Sequence, residues 1–257
     1  MIKSPKSMNK QLKLRVSKKV SLLLSLVGLA VVSPSLPVLS SPLSNGSIIS
    51  LNFPDTGNRD APKKTTGGGT RSDDQTCLVS EDNEPPLVAL MPNRQNTAKT
   101  ATNTPTFYGY IPTTNATEGE FVLVDQNNQE VYHTQFSLPS NPGIIKLEIP
   151  EKANLQPGNY TWSLMVICDS RYRNRDRYVE GSLEYIPPSQ TIENQMKDKP
   201  SLERAEVYAN ASLWFETLDT VVKIKAENPQ EWQQLLTSVG LEMLAEVPVI
   251  NCCQSDD

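Results

Sequence analysis

Between residues 86 and 187, apolar residues recur in short runs, several of them alternating with polar ones. Val131-Tyr132-His133-Thr134-Gln135-Phe136 and Ile145-Lys146-Leu147-Glu148-Ile149 alternate residue by residue, the period of a strand with one buried face. Runs of the same kind fall at 87–91, 106–111, 120–125, 130–138, 143–149, 159–168 and 177–186, separated by Pro, Asn and Gly. The spacing predicts seven short antiparallel strands, with the polar stretch 125–130 turning one hairpin. From residue 189 the period changes to 3.6. Helices are predicted from Ser201, as cap, through Val207, Tyr208 and Ala211, then over Trp214–Lys225, and finally over about 230–246. The fold class expected is α+β, mainly β: a sandwich followed by about three helices.

Two local patterns refine this picture. Leu155-Gln156-Pro157-Gly158-Asn159-Tyr160 has the form of a tyrosine corner, in which Tyr160 returns its hydroxyl to the backbone just upstream. The β-region therefore resembles an Ig-like sandwich, a closed barrel being the alternative. Trp162 stands where an antibody-type domain carries a Cys. In the helical region Ala205, Tyr208, Trp214, Glu216 and Pro229 match a tetratricopeptide-like hairpin, although that repeat's opening Trp and Leu-Gly are missing. A single such unit cannot bury its own face. It must pack on its third helix, on the sandwich or on a partner, and Tyr208, Trp214 and Trp232 are the candidate docking residues. The domain map expected is a signal peptide at 1–40, a polar linker or arm at 41–75, the sandwich at 76–187, the helical unit at 188–250 and a tail at 251–257.

The N-terminus changes the charge and the compartment. Seven basic residues precede residue 20, no acid occurs before Asp55, and a thirteen-residue apolar run spans 20–32. That order is the order of a secretory signal. The run is shorter than the ~20 residues of a spanning helix, and Pro34 and Pro37 follow it. Cleavage is expected near Ser40, giving an exported protein, periplasmic or extracellular, with no stable transmembrane span. The mature chain then carries 17 basic against 29 acidic residues, a net charge of −12. It offers nucleic acid no electrostatic footprint.

Export permits disulfides. Four cysteines allow three pairings, among which the sequence does not choose. The expected one joins Cys77 to Cys168 and staples the N-terminal arm to the sandwich. Cys252 and Cys253 are then free or linked to another chain, since adjacent cysteines close a strained eight-membered ring. One His and scattered Cys give no metal-ligand spacing, and no cofactor is expected. Gly67-Gly68-Gly69 lacks the strand, helix and Lys-Ser/Thr of a phosphate loop. No Gly-x-Ser-x-Gly elbow is present, and His133 reads as a polar strand-face residue. The pairs Glu118/Glu120, Asp125/Glu130 and Glu180/Glu184 are the carboxylates that a glycoside hydrolase could use. No catalytic residue is assigned.

The least ordinary segment is Asp169-Ser170-Arg171-Tyr172-Arg173-Asn174-Arg175-Asp176-Arg177. On an acidic protein it is a local positive spot, and guanidinium forks grip carboxylate, sulfate or phosphate groups. Arg171, Tyr172, Arg173, Arg175 and Arg177 form the candidate binding loop, for an anionic group, a glycan or an acidic protein surface. The alternative is a solvated loop with internal Arg–Asp pairs.

The order of motifs carries a resemblance. Gly-Gly-Gly-Thr-Arg with a following Cys precedes Leu-x-Ala-Leu-x-Pro (87–92), Pro-Thr-Phe…Tyr-Ile-Pro (105–112) and Glu-Phe-Val-Leu-x-Asp (120–125). Then come Pro-Gly-Ile (142–144), Tyr-x-Trp…Ile-Cys-Asp (160–169), Val-Glu-Gly (179–181), Ser-Leu-Glu-Arg-Ala…Tyr-Ala (201–209) and Leu-Leu-x-Ser-Val-Gly-Leu (235–241). Over about residues 65 to 250 the chain resembles the cyanobacterial domain-of-unknown-function family 928. The resemblance brings no catalytic residue. It implies an exported bacterial protein with an accessory role in extracytoplasmic sensing. The function expected is a non-enzymatic interaction module of the cell envelope with a protein partner. A carboxylate hydrolase or carbohydrate-active protein, and a structural envelope protein, are the alternatives.

Overall fold

The computed structural model describes residues 50–55, 77–79, 84–93, 95–250 and 252–253. The expected signal peptide and cleavage position, the Gly67–Gly69 run and most of the expected linker lie outside them. The described residues belong to one unit, Ser47–Asp257.

All seven expected strands form, and two more join them. In chain order they are β1 (Val88–Ala89), β2 (Thr97–Thr100), β3 (Thr106–Ile111), β4 (Glu118–Asp125), β5 (Glu130–Ser137), β6 (Gly143–Glu148), β7 (Gly158–Ile167), β8 (Arg177–Tyr185) and β9 (Val249–Ile250). They make two sheets, ordered β1-β3-β6-β9 and β2-β8-β7-β4-β5. The added strands β2 and β9 run parallel to β8 and β6, so a purely antiparallel seven-stranded sheet pair is corrected to nine strands with parallel edges. Neither edge has a local signal: β2 is Thr-Ala-Lys-Thr and β9 is two residues long. Both exist because a neighbouring strand presents an open ladder.

The sheets meet through aromatic rings. Phe107 of β3 lies 4.9 Å from Phe121 of β4 and 5.4 Å from Trp162 of β7. Asp125 turns the β4–β5 hairpin by accepting from the backbone of Asn127 and Gln129. The Tyr160 hydroxyl donates to the Gln156 carbonyl at 2.6 Å and accepts from the Gln156 amide at 2.9 Å, which ties down the turn before β7. At Gly181 of β8 the Asn96 carbonyl oxygen would lie 2.1 Å from an added Cβ, and that carbonyl accepts from Ser182 to start the β2 pairing. Gly181→Ala is expected to cost about 1–3 kcal/mol through overpacking, read as a lower urea midpoint at unchanged slope. An unchanged midpoint would mean that β2 moves away freely.

Four helices follow: α1 (Gln190–Met196), α2 (Ser201–Asn210), α3 (Trp214–Ile224) and α4 (Pro229–Ser238). α1 is an addition to the expected three, and none of its residues is buried. Pro200, not Ser201, occupies the cap of α2, with Ser201 as first helical residue. α4 stops at Ser238 because Gly240 turns left-handed with φ 71°; a 3-10 turn at Glu242–Leu244 replaces the rest of the expected helix. The helices do not form a separate core. Phe215 of α3 packs on Phe107 at 4.9 Å, and one hydrophobic cluster runs through both sheets and α2–α4. The arm joins it as well. Leu51 and Phe53 are buried, and their amides donate to Gln234 and Ser238 of α4.

Candidate functional site

Helices α2 and α3 each carry two stripes. On α3, Trp214, Thr217, Leu218 and Val221 recur at i, i+3, i+4, i+7 and are buried, while Glu216, Asp219, Thr220 and Lys223 repeat that spacing one face over. On α2, Ala205 and Ala209 are buried, and Ser201, Arg204 and Tyr208 share the next face. These two polar stripes meet the end of the β3–β6 sheet and enclose a groove of about 1120 Å³. Thr102, Thr104 and Thr106 form one side, and Lys146 to Glu151 another. Tyr132 of β5 and the half-buried Cys252 and Cys253 also line it.

Most of the groove's charges are matched within the protein. Asp219 accepts from the Tyr108 hydroxyl at 2.8 Å and from Lys223 at 2.6 Å, and Lys146 pairs with Glu148. Burial, aided by the Asp219 charge, pushes the Tyr108 phenol well above its ordinary range. One Glu216 oxygen accepts from the Thr100 hydroxyl and from the amides of Ala101 and Thr102, at 2.6, 2.7 and 3.0 Å. Its other oxygen is buried without a hydrogen-bond partner among the described residues. Burial lifts the Glu216 carboxyl above its ordinary value, against the pull of those donors. Tyr208 is raised by burial and by the Glu216 charge, with Arg204 opposing.

Glu216 is thus a structural clamp on the 100–102 turn, and two substitutions separate its parts. Glu216→Ala strands three donors and is expected to cost about 1–3 kcal/mol. Glu216→Gln keeps the acceptor. A carboxyl whose folded pKa is raised costs stability as pH rises above its unfolded value, so Glu216→Gln should gain on the wild type from pH 4 to pH 7 in urea titrations. A constant difference across that range would refute the burial argument.

The Arg loop lies on the other sheet. It enters as a 3-10 turn at Arg173–Arg175 before β8. The Arg173 guanidinium donates to both Glu120 oxygens, at 3.0 and 3.3 Å, and to Asp176 at 2.5 Å. Asp176 in turn accepts from the Cys168 amide. Glu120 also takes Gln135 at 2.8 Å and has the His133 ring at 3.5 Å. Burial alone would raise the Glu120 carboxyl; the bonds from Arg173 and Gln135 outweigh it and hold it below its ordinary value. Arg175 and Arg171 both approach Asp169, Arg175 lies over the Tyr172 ring, and Arg177 donates to two backbone carbonyls. The Arg171 side chain, 84% exposed, is more open to solvent than those of Arg173 and Arg175, and Tyr172 beside it also faces solvent.

Cys77 and Cys168 are bonded, 91 residues apart. The reading of Cys252 and Cys253 as free or intermolecular is corrected: they are bonded to each other. The β9 pairing brings the tail back onto β6, and Cys253 adopts a left-handed φ of 69°.

The model of the family described as Domain of Unknown Function (DUF928) matches residues 66–249, a span that includes strands β1 to β8, all four helices and the groove lining except Cys252 and Cys253. The chain belongs to this family. No curated protein matches it.

In this DUF928 chain the predicted docking tryptophans turn inward, a correction to their reading as partner surface. Trp214 is fully buried and its indole N–H donates to the Leu90 carbonyl at 2.8 Å. Trp232 is 3% exposed and donates to Ala245, with Lys225 over its ring. Trp214 ties α3 to the segment after β1, and Trp232 ties α4 to the turn that follows it. Tyr208, by contrast, lines the groove. The carboxylate pairs chosen by sequence are not assembled into a site: Glu120 is bound to Arg173, Asp125 caps its own turn and Glu184 pairs with Lys99. Sequence reasoning missed Asp219, Thr220 and Lys223, although the second polar stripe on α3 is legible once α3 is drawn as a wheel. Among the described residues no helix is long and apolar enough to cross a membrane.

Proposed function

We propose that this DUF928 protein is an exported, non-enzymatic binding module of the bacterial cell envelope, with the groove between α2, α3 and the β3–β6 sheet as its ligand seat. The observation that carries this reading is the groove itself. It is about 1120 Å³ in volume, just above the roughly 300–1,000 Å³ usual for ligand sites, and its walls come from elements that share one core. A site whose walls are fixed by a common core binds without reorganising. The groove's own carboxylates favour binding over hydrolysis. Both Asp219 oxygens and one Glu216 oxygen are engaged by Tyr108, Lys223 and the 100–102 turn, and the other Glu216 oxygen is buried.

Two facing sheets with the Tyr160–Gln156 bond support an Ig-like sandwich, and the α2–α3 hairpin supports kinship with a tetratricopeptide unit. Export rests on the basic-then-apolar order of residues 1–32, and the accessory role in extracytoplasmic sensing rests on the family resemblance. Arg171 and Tyr172, being exposed, offer a protein partner a second surface.

The test uses protein purified from its own envelope fraction, denatured, with released small molecules weighed by mass spectrometry. The intact mass should begin near residue 41. Thr220→Trp fills the groove and should abolish the released compound while leaving the melting temperature within a few degrees. Equal release from both proteins would remove the groove as the seat. An intact mass that includes residue 1 would remove cleavage.

A further inference from the structure

We propose that the groove binds a neutral oligosaccharide several sugar units long, an inference that rests on the binding-module reading. Its lining is rich in hydroxyls, from Thr102, Thr104, Thr106, Ser201 and Thr220. A hydroxyl both donates and accepts, so it suits ligand groups that do the same, and sugar hydroxyls are of that kind. An anion needs a surplus of donors and a cation a surplus of acceptors.

The charges agree. Three basic groups, Lys146, Arg204 and Lys223, face four acidic ones, Glu148, Glu151, Glu216 and Asp219. Lys146–Glu148 and Lys223–Asp219 are already paired. A paired ammonium or carboxylate retains spare hydrogen-bonding positions for a neutral ligand, yet it offers an ion little uncompensated field. Arg204 makes no ion pair among the described residues; it donates to Ser201 at 3.3 Å, leaving most of its planar fork for vicinal hydroxyls. Tyr132 and Tyr208 are half-buried on the same lining, and aromatic faces accommodate the C–H faces of pyranose rings. The volume of about 1120 Å³ exceeds a typical small-molecule site of roughly 300–1,000 Å³, which leaves room for several sugar units.

The experiment is an amide-shift titration of the isotope-labelled mature chain, with calorimetry alongside. The neutral probes are cellohexaose, maltohexaose and chitohexaose. The comparison probes are the polyanion persulfated maltohexaose and the zwitterionic peptide trialanine. At least one neutral hexaose should bind saturably and shift the amides of Thr102, Thr106 and Thr220. Thr220→Val removes one hydroxyl at constant shape, and Tyr208→Leu removes one ring. Each should weaken binding about tenfold, the equivalent of one lost polar contact, and Thr220→Val should keep the wild-type melting temperature. Failure of all three neutral hexaoses at millimolar concentration would overturn the proposal. So would binding that neither variant weakens. If trialanine or the sulfated sugar alone moved the groove amides, the oligosaccharide would be wrong and the groove would stand as a ligand seat. If no probe moved them, both readings would fall.

Discussion

Replacing Cys77 and Cys168 by alanine should destabilise the protein by about 4–5 kcal/mol at 25 °C. The bond closes a 91-residue separation, and loop-closure entropy at that length gives roughly 4.6 kcal/mol in the unfolded-chain model. Domains are stable by only about 5–15 kcal/mol, so the variant should sit near the edge of folding at 37 °C. The bond also has a local task. It anchors residues 77–79, whose backbone pairs with 113–115 through Val79 to Thr113 and Asn115 to Cys77, onto the end of β7. Urea unfolding of the double variant measures the loss. A loss under about 1 kcal/mol would mean that the 77–79 pairing and the core hold that end unaided. The Cys252–Cys253 bond closes almost no chain, so a Cys252→Ser/Cys253→Ser variant should unfold within about 1 kcal/mol of wild type.

The second large effect is expected at Arg173. Glu120 and Asp176 are 8% and 7% exposed, and Arg173 is the cation that bridges them. Removing one partner of a fully buried pair costs about 3–5 kcal/mol, because an uncompensated charge stays behind. The Arg173 side chain is 42% exposed, so water offsets part of the loss and Arg173→Met should cost about 2–3 kcal/mol at pH 7. The pH dependence identifies the cause. The Glu120 carboxyl is held below its ordinary value, so its contribution is complete above the unfolded carboxyl pKa near 4.3 and is lost as pH falls through the folded one. In Arg173→Met the buried Glu120 has no guanidinium to keep it ionised. The gap between variant and wild type should therefore narrow from pH 7 to pH 3. Urea midpoints across that range check it; a gap independent of pH would assign the loss to packing of the arginine stem.

The same loop shows how far a sequence can be read. Four arginines and two aspartates in nine residues announce a charged turn, and the alternatives, a ligand surface or internal pairs, are chemically equal in one dimension. Arg173 finds Glu120, 53 residues away, through the β4–β7 register, which no local pattern encodes. The tryptophans follow the same logic. Trp214 and Trp232 fall on amphipathic helices, and an apolar stripe reads alike whether it meets a partner or its own sheet.

Local physics determined much of this protein. Short apolar runs, some of them alternating, placed seven strands, a 3.6 period placed α2 and α3, and Pro-Gly with Tyr160 marked the turn before β7. These signals act over a few residues, where backbone geometry and side-chain period suffice. Tertiary structure alone decided the rest. Edge strands β2 and β9 form on ladders supplied by β8 and β6, the tail cysteines close on each other once β9 is docked, and the arm at Leu51 and Phe53 is buried by α4. The groove is of this second kind. Its stripes on α2 and α3 are local, but they become one site only because Phe215 packs on Phe107 and sets the hairpin against the sheet.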